Sequence, residues 1–345
     1  MWEATTLMGK KTALITIIIT VLCIGGISGV YANNVFPGAR ALGMGGAYVA
    51  VVDDNGAVYW NPAAIRKIGF LSVNPTFTLR SSSMQLQDVW EMVLSQQIPA
   101  ELELPASLDL AGQVGFSGSA LGFNVIVDAN ANFTKGQSEE PVGEAKAIIS
   151  GALTGATTPY QLPPSLLVVH AGGNLRVLYG RYYSLNQAEY KERSAEGRGY
   201  AVDAGVLVEA TPVITAGIRA VDLLGRIQWT GNETDYADET TETEWVEKLQ
   251  PRYRGGVAVK PPLTGLVIAC DIEDPGTPSQ ALYMGVEKRF LGVASLRAGM
   301  MSKEDGRTYT LGTGFSLGVA KVDAAIASEN FQEITAGGVS VSLQF

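Results

Sequence analysis

The chain closes on Val339-Ser340-Val341-Ser342-Leu343-Gln344-Phe345. Apolar and polar residues alternate through these positions, and an aromatic stands last. Successive side chains of a strand point to opposite faces, so this segment has one apolar and one polar face. A transmembrane barrel needs that pattern, because its strands meet lipid on one side and a wet lumen on the other. One such strand would equally suit a soluble sheet. Here the same period recurs along most of the chain.

In 122–134, Phe123, Val125, Val127, Ala129, Ala131 and Phe133 share one face; Asn124, Asp128, Asn130 and Asn132 share the other. Leu266, Ile268, Cys270 and Ile272 oppose Asp271 and Glu273, and Val202, Ala204, Val206 and Val208 oppose Asp203 and Glu209. An Arg or Lys facing lipid at mid-membrane costs roughly 2–4 kcal/mol. The polar set is therefore expected inside, with Arg219, Arg226, Arg252, Arg254, Arg289 and Arg297 balancing the acids in a salt-bridged lumen.

Strands are expected near 70–80, 107–117, 122–134, 165–171, 174–186, 199–210, 213–230, 250–260, 264–273, 281–290, 293–303, 307–317, 320–329 and 335–345. They number fourteen, with 213–230 kept whole by a bulge at Leu224-Gly225. Connections on one side (118–121, Gly172-Gly173, Thr211-Pro212, 261–265, Leu291-Gly292, Leu317-Gly318) are short. Most of those on the other (81–106, 135–164, 187–198, 231–249, 274–280, 304–306, 330–334) are longer. Short inner turns, longer outer loops and an even count characterise bacterial outer-membrane barrels. The expected fold is thus all-β, a 14-stranded antiparallel transmembrane β-barrel. A pair of soluble β-sandwiches is the alternative, and it predicts similar loops at both ends.

Lys10 and Lys11 precede an apolar run from Thr12 to about Ile24, then small residues to Ala32, so 1–32 reads as a secretory signal. Cleavage there would leave Cys270 as the one cysteine and no internal disulfide. No later run reaches the ~20 apolar residues of a spanning helix. Glycine is 40 of 345 residues, well above the roughly 7% of an average protein. The net charge of −9 without a basic patch argues against nucleic acid. His170 is the lone histidine, and neither G-x-S-x-G nor H-E-x-x-H occurs. No enzyme, cofactor or metal is therefore expected.

Residues 33–69 do not alternate. They carry Ala39-Arg40-Ala41-Leu42-Gly43-Met44-Gly45-Gly46-Ala47, then Asp53-Asp54, then Asn61-Pro62-Ala63. Small residues and turn formers point to a compact unit, placed to fold back as an N-terminal plug in the lumen of a barrel spanning 70–345. These motifs resemble the plug of the FadL-like outer-membrane transporters of long-chain fatty acids and aromatic hydrocarbons. The pattern from Ala39 to Ala47 is closer still to the PorV/TraF-like branch. So are Tyr253-Arg254-x-Gly256-Val257-Ala258, Ala269-x-Asp271, Gly285-Val286-Glu287, Leu296-Arg297-Ala298-Gly299 and Val322-Asp323-Ala324-Ala325. The resemblance implies fourteen strands and a plug, with Gly43, Gly45, Gly46, Asp53, Asp54, Asn61, Pro62 and Ala63 as plug residues. It further implies an outer-membrane location among membrane lipids. The transporters take an apolar ligand in from their outer loops and release it through the wall; the PorV-like branch is associated with protein secretion and surface attachment.

Two features bear on function. Pro75 lies inside the first strand and withholds a ladder N–H, reading as a kink or lateral opening, or else a bulge. The outer loops 81–106, with Val89, Trp90 and Val93, and 135–164, with Ile148, Ile149 and Leu153, show helical apolar spacing. They read as a greasy access groove or as a cap on the barrel rim. Loop 231–249, with seven acids, reads as a solvated loop. The expected function is passive uptake of apolar small molecules. The alternative is a non-transporting, PorV-like scaffold or secretion-associated barrel that binds a protein partner at its outer loops.

Overall fold

The computed structural model describes residues 37–82, 106–135, 141–162, 167–186, 191–235, 239–304 and 306–345. Fourteen antiparallel strands form one closed sheet. They are β1 (Ser72–Val73 and Thr76–Ser82), β2 (Ala106–Ser117), β3 (Leu121–Lys135), β4 (Pro141–Ala156 and Tyr160–Leu162), β5 (Leu167–Asn186), β6 (Lys191–Glu209) and β7 (Ile214–Thr234). Then follow β8 (Thr240–Lys248 and Arg252–Val259), β9 (Leu266–Glu273), β10 (Ala281–Phe290), β11 (Ala294–Lys303), β12 (Gly306–Leu317), β13 (Ala320–Ser328) and β14 (Ala336–Gln344). Each strand pairs with its neighbour in sequence, and β14 closes on β1 with Ser340 opposite Thr76. Closure leaves no sheet edge, the one way a sheet can sit in lipid with every ladder satisfied.

Three strands are interrupted, and each gap contains a proline: Pro75 in β1, Pro159 in β4 and Pro251 in β8. Proline has no N–H to give the ladder. At Pro75 the register is the same on both sides, since Val73 faces Leu343 and Thr76 faces Ser340. The expected bulge is therefore absent. The Val341 N–H still donates to the Pro75 carbonyl at 3.0 Å, but the reciprocal bond from residue 75 cannot form. A bulge does occur in β7, three residues before the expected place ends: Val221–Leu223 lie opposite Asp203 alone, and Asp222 takes φ 58°.

The alternation resolves as expected into outside and inside. Val177, Ile218, Leu296, Leu311 and Phe315 are exposed on the outer face, whereas Asn124, Asp203, Asp271, Glu287, Arg297 and Asp323 are buried on the inner one. Arg226 departs from the expectation. It points outward and lies over the Tyr200 ring.

Several expected loops are wall. Residues 141–156 form β4 rather than an outer loop with a helix, so Ile148 is buried inside, Ile149 sits on the outer face and Leu153 is 55% exposed there. Gly172-Gly173 is no turn but lies within β5, so the two strands expected on either side of it are one, Leu167–Asn186. The stretch 187–198 largely belongs to β6, and 231–249 is the hairpin of β7 and β8, with Glu244 opposite Thr230. Splitting β5 and omitting β4 cancel, which is why the count of fourteen survived. Val89, Trp90 and Val93 lie outside the described residues. Among those residues, no helix is long and apolar enough to cross a membrane.

A charge placed on this belt tests the orientation. Ile218→Arg is expected to destabilise the barrel by about 2–4 kcal/mol in urea unfolding from lipid vesicles. Ser342→Thr, on the inner face, is expected to change it by under about 1 kcal/mol.

Candidate functional site: the plugged lumen

The segment 37–69 fills the lumen with three short helices, Ala39–Gly43, Ala57–Trp60 and a 3₁₀ turn Pro62–Lys67. Pro62 opens the last of these, where its missing N–H costs nothing. Asn61 caps it, its Oδ1 accepting from the Ala63 N–H, while its Nδ2 donates to Val49 O at 3.2 Å and to Val206 O on β6 at 3.1 Å. One side chain thus joins two turns of the plug and the wall. Asp54 accepts from the Gly56 N–H at 2.8 Å. Trp60 is fully buried, edge-on to Tyr48 and Tyr59.

The seat is made of wall glycines. A Cβ on Gly285 would stand 2.3 Å from Met44 O, one on Gly299 2.2 Å from Gly45 N, and one on Gly205 2.2 Å from Asn61 Oδ1. Gly285 pairs with Gly299, and Gly205 with Gly172, which meets Pro62 in the same way. Plug backbone therefore rests on wall backbone. Gly45 and Gly46 both have positive φ, which turns the chain away from that contact.

Ion pairs lock the seat. Arg40 donates from Nε to Glu287 at 2.8 Å and from Nη1 to Asp53 at 2.5 Å. Glu287, with no exposed surface, also accepts from Arg297 at 2.7 Å and from Arg289 at 2.6 Å. Arg297 reaches Asp323 at 2.8 Å. Burial opposes ionisation of Asp53, but Arg40, Lys321 and Arg289 outweigh it and hold the carboxyl below the usual range. Burial pushes the Asp54 carboxyl up instead. On the adjoining strands β9 and β8, Asp271 accepts from the Tyr48 and Val49 N–H groups at 2.8 and 3.0 Å, and Arg254 donates to Gly46 O at 3.1 Å. Arg219 donates to Tyr59 O at 2.8 Å, and Asn55 bonds Asn124 and Ser117.

Beyond the plug the lumen is layered, as β5 shows. Asn174 donates to Val58 O of the plug at 2.7 Å. The next inward residue, Arg176, borders a polar cavity of about 40 Å³ and pairs with Asp203 and Asp222. Leu178 follows, within a buried apolar cluster with Ile148, Ala201, Ile227, Trp229 and Leu249. Each inward step is about 6.6 Å along the strand. Trp229 stacks on Trp245 at 5.8 Å, and Tyr182 stands edge-on to both. Glu247 accepts from the Trp229 indole N–H at 2.9 Å and pairs with Lys146 at 2.6 Å.

Of the residues singled out in the sequence, Gly43, Gly45, Gly46, Asp53, Asp54, Asn61, Pro62 and Ala63 come together in the plug. Ile148 joins the aromatic layer, but Ile149 and Leu153 do not. Pro75 lies at the β1–β14 seam, where the adjacent Asn74 and Thr76 border a cavity of about 10 Å³, space for no more than a water. Tyr182, Trp229 and Trp245 were missed. Their signal was the period-two run Thr243-x-Trp245-x-Glu247, hidden among acids.

No protein-family model matches the chain, nor does any curated protein. Solved structures do. The Ralstonia pickettii toluene transporter TbuX superposes with a TM-score of 0.62 at 11% identity, over 92% of this chain and 100% of that one. The P. putida toluene transporter TodX gives 0.56 at 12% identity, over 89% and 98%. A Pseudomonas aeruginosa FadL homologue gives 0.54 at 11% identity, over 92% and 98%. At these identities the likeness is one of fold.

Removing Arg40 tests the lock. Arg40→Ala leaves two arginines on Glu287 and strips Asp53 of its close partner. Breaking a buried pair typically costs about 3–5 kcal/mol. Hydrogen exchange of 39–65 is expected to rise by orders of magnitude, while the folded barrel keeps its shifted mobility in unboiled gel samples.

Proposed function

We propose that this is a bacterial outer-membrane barrel for passive uptake of apolar small molecules, fatty-acid- or hydrocarbon-like in character. The observation that carries the reading is the aromatic and aliphatic layer of Ile148, Leu178, Ile227, Trp229, Trp245 and Leu249 inside the lumen. A water-filled pore has no use for such a lining, whereas apolar pockets with a few polar groups suit small organic ligands. Because glycine contacts and ion pairs seat the plug, a ligand would leave through the wall. The Pro75 seam, short of one ladder bond, is our candidate for that exit. The likeness of fold to toluene transporters supports the reading.

The density of those plug contacts also favours a second reading, a PorV-like scaffold whose lumen is permanently shut and whose outer face binds a protein.

Uptake decides between them. Cells lacking their own transporter, with this protein inserted, are given labelled toluene and labelled long-chain fatty acid. Transport of either is expected. Pro75→Val supplies the missing N–H and is expected to slow uptake several-fold. Trp229→Ala is expected to weaken it through lost apolar contact. Folded, inserted protein that transports neither would favour the scaffold.

A further inference from the structure

We propose that the molecule taken up carries a single neutral hydroxyl on an apolar body, as a phenol does, and that Asp128 and Arg252 receive that hydroxyl. The inference rests on the uptake reading and narrows its substrate class.

The polar cavity lies between the plug and the aromatic layer, with Tyr59 at its base. Most of its charges are already engaged. Arg176 is taken by Asp203 and Asp222, and Arg219 by Tyr59 O and Glu273. The β7 bulge contributes to this. It turns Asp222 inward, its N–H donating to Asp203 Oδ1 at 3.0 Å and its carboxylate meeting Arg176. Left over are Asp128 Oδ1 on β3 and Arg252 Nε on β8, both buried and without a hydrogen-bond partner. Among the described residues neither side chain has an ion pair.

One buried free acceptor and one buried free donor thus belong to residues that line a space of about 40 Å³, enough for one or two water-sized groups. A hydroxyl matches both, giving its proton to Asp128 and accepting from Arg252. A carboxylate only accepts, so it would meet Asp128 oxygen to oxygen. An ammonium only donates, so it would meet Arg252 with nothing to offer. A hydrocarbon would displace water from both atoms and leave both unpaired, which a buried polar group resists. The cavity has room for the hydroxyl alone; Val58, Ile126 and Val221 complete its lining with apolar surface.

The test is titration calorimetry of the full-length barrel in detergent with p-cresol, toluene and 4-methylbenzoate, probes of one shape and different heads. We expect p-cresol to bind about tenfold or more tightly than toluene, and 4-methylbenzoate to bind no better than toluene. Asp128→Leu and Arg252→Leu should each bring p-cresol down towards toluene. Asp128→Asn keeps an acceptor and should retain most of the preference; heat-modifiable gel mobility reports that each variant is folded. Equal binding of toluene and p-cresol overturns the inference, as water alone then serves the two groups, and leaves the uptake reading standing. Tightest binding by 4-methylbenzoate overturns it in favour of an anionic head. No binding of any probe by folded protein overturns both readings.

Discussion

Glu287 holds the molecule together. Its carboxylate sits at the inner wall with no solvent contact and takes guanidinium groups from Arg40, Arg289 and Arg297. One of these belongs to the plug and two to the wall. A lone carboxylate at this depth would be prohibitively costly, and three arginines without it would be worse. The plug therefore supplies a charge that the wall requires, and the wall supplies the counter-charge that fixes Arg40. Asp271 and Arg254 make the same exchange on the two adjoining strands with backbone groups of Tyr48, Val49 and Gly46. Removing the plug would strand these groups, so plug and barrel form one unit.

That mutual dependence shapes what the lumen can do. The plug is seated through backbone contact with glycine pairs, so its displacement breaks many short contacts at once. Passage straight through is disfavoured by the same charges that hold it. Along the lumen the plug is followed first by the polar cavity and then by the aromatic layer. In the proposed uptake role, an apolar layer over a polar floor would sort ligands by shape at one level and by hydrogen bonding at the next. The prolines at 75, 159 and 251 show that a missing ladder bond is tolerated at three points in this wall. The one at 75 differs in lying beside the last strand, where β14 closes the barrel.

The places where the structure departs from the sequence pattern have physical causes. β4 was hidden because Ile148 packs inside against an apolar cluster while Ile149 and Leu153 face outward. When both faces of a strand are apolar the period of two disappears, and helical spacing fits as well. Gly172-Gly173 looked like a turn because glycine commonly marks one. Here Gly172 has no side chain because Pro62 of the plug occupies its place. The acids of 240–248 looked like a solvated loop because acidity does not distinguish a loop from a strand whose faces are wet.

The sequence by itself determined the barrel. Alternation and short turns on one side follow from local rules, since each residue's face is set by its own position in the strand. The plug segment was legible for the same reason, through turn formers and small residues. What only the tertiary structure decided is which inward charges meet. Arg40 and Glu287 are 247 positions apart, and no local pattern links them. Likewise the sequence offers Asp128, Arg176, Asp203, Asp222 and Arg252 as equals. Closing the sheet and bulging β7 satisfies three and leaves two facing a cavity, because a partner within hydrogen-bond reach is a property of the closed wall and not of any strand.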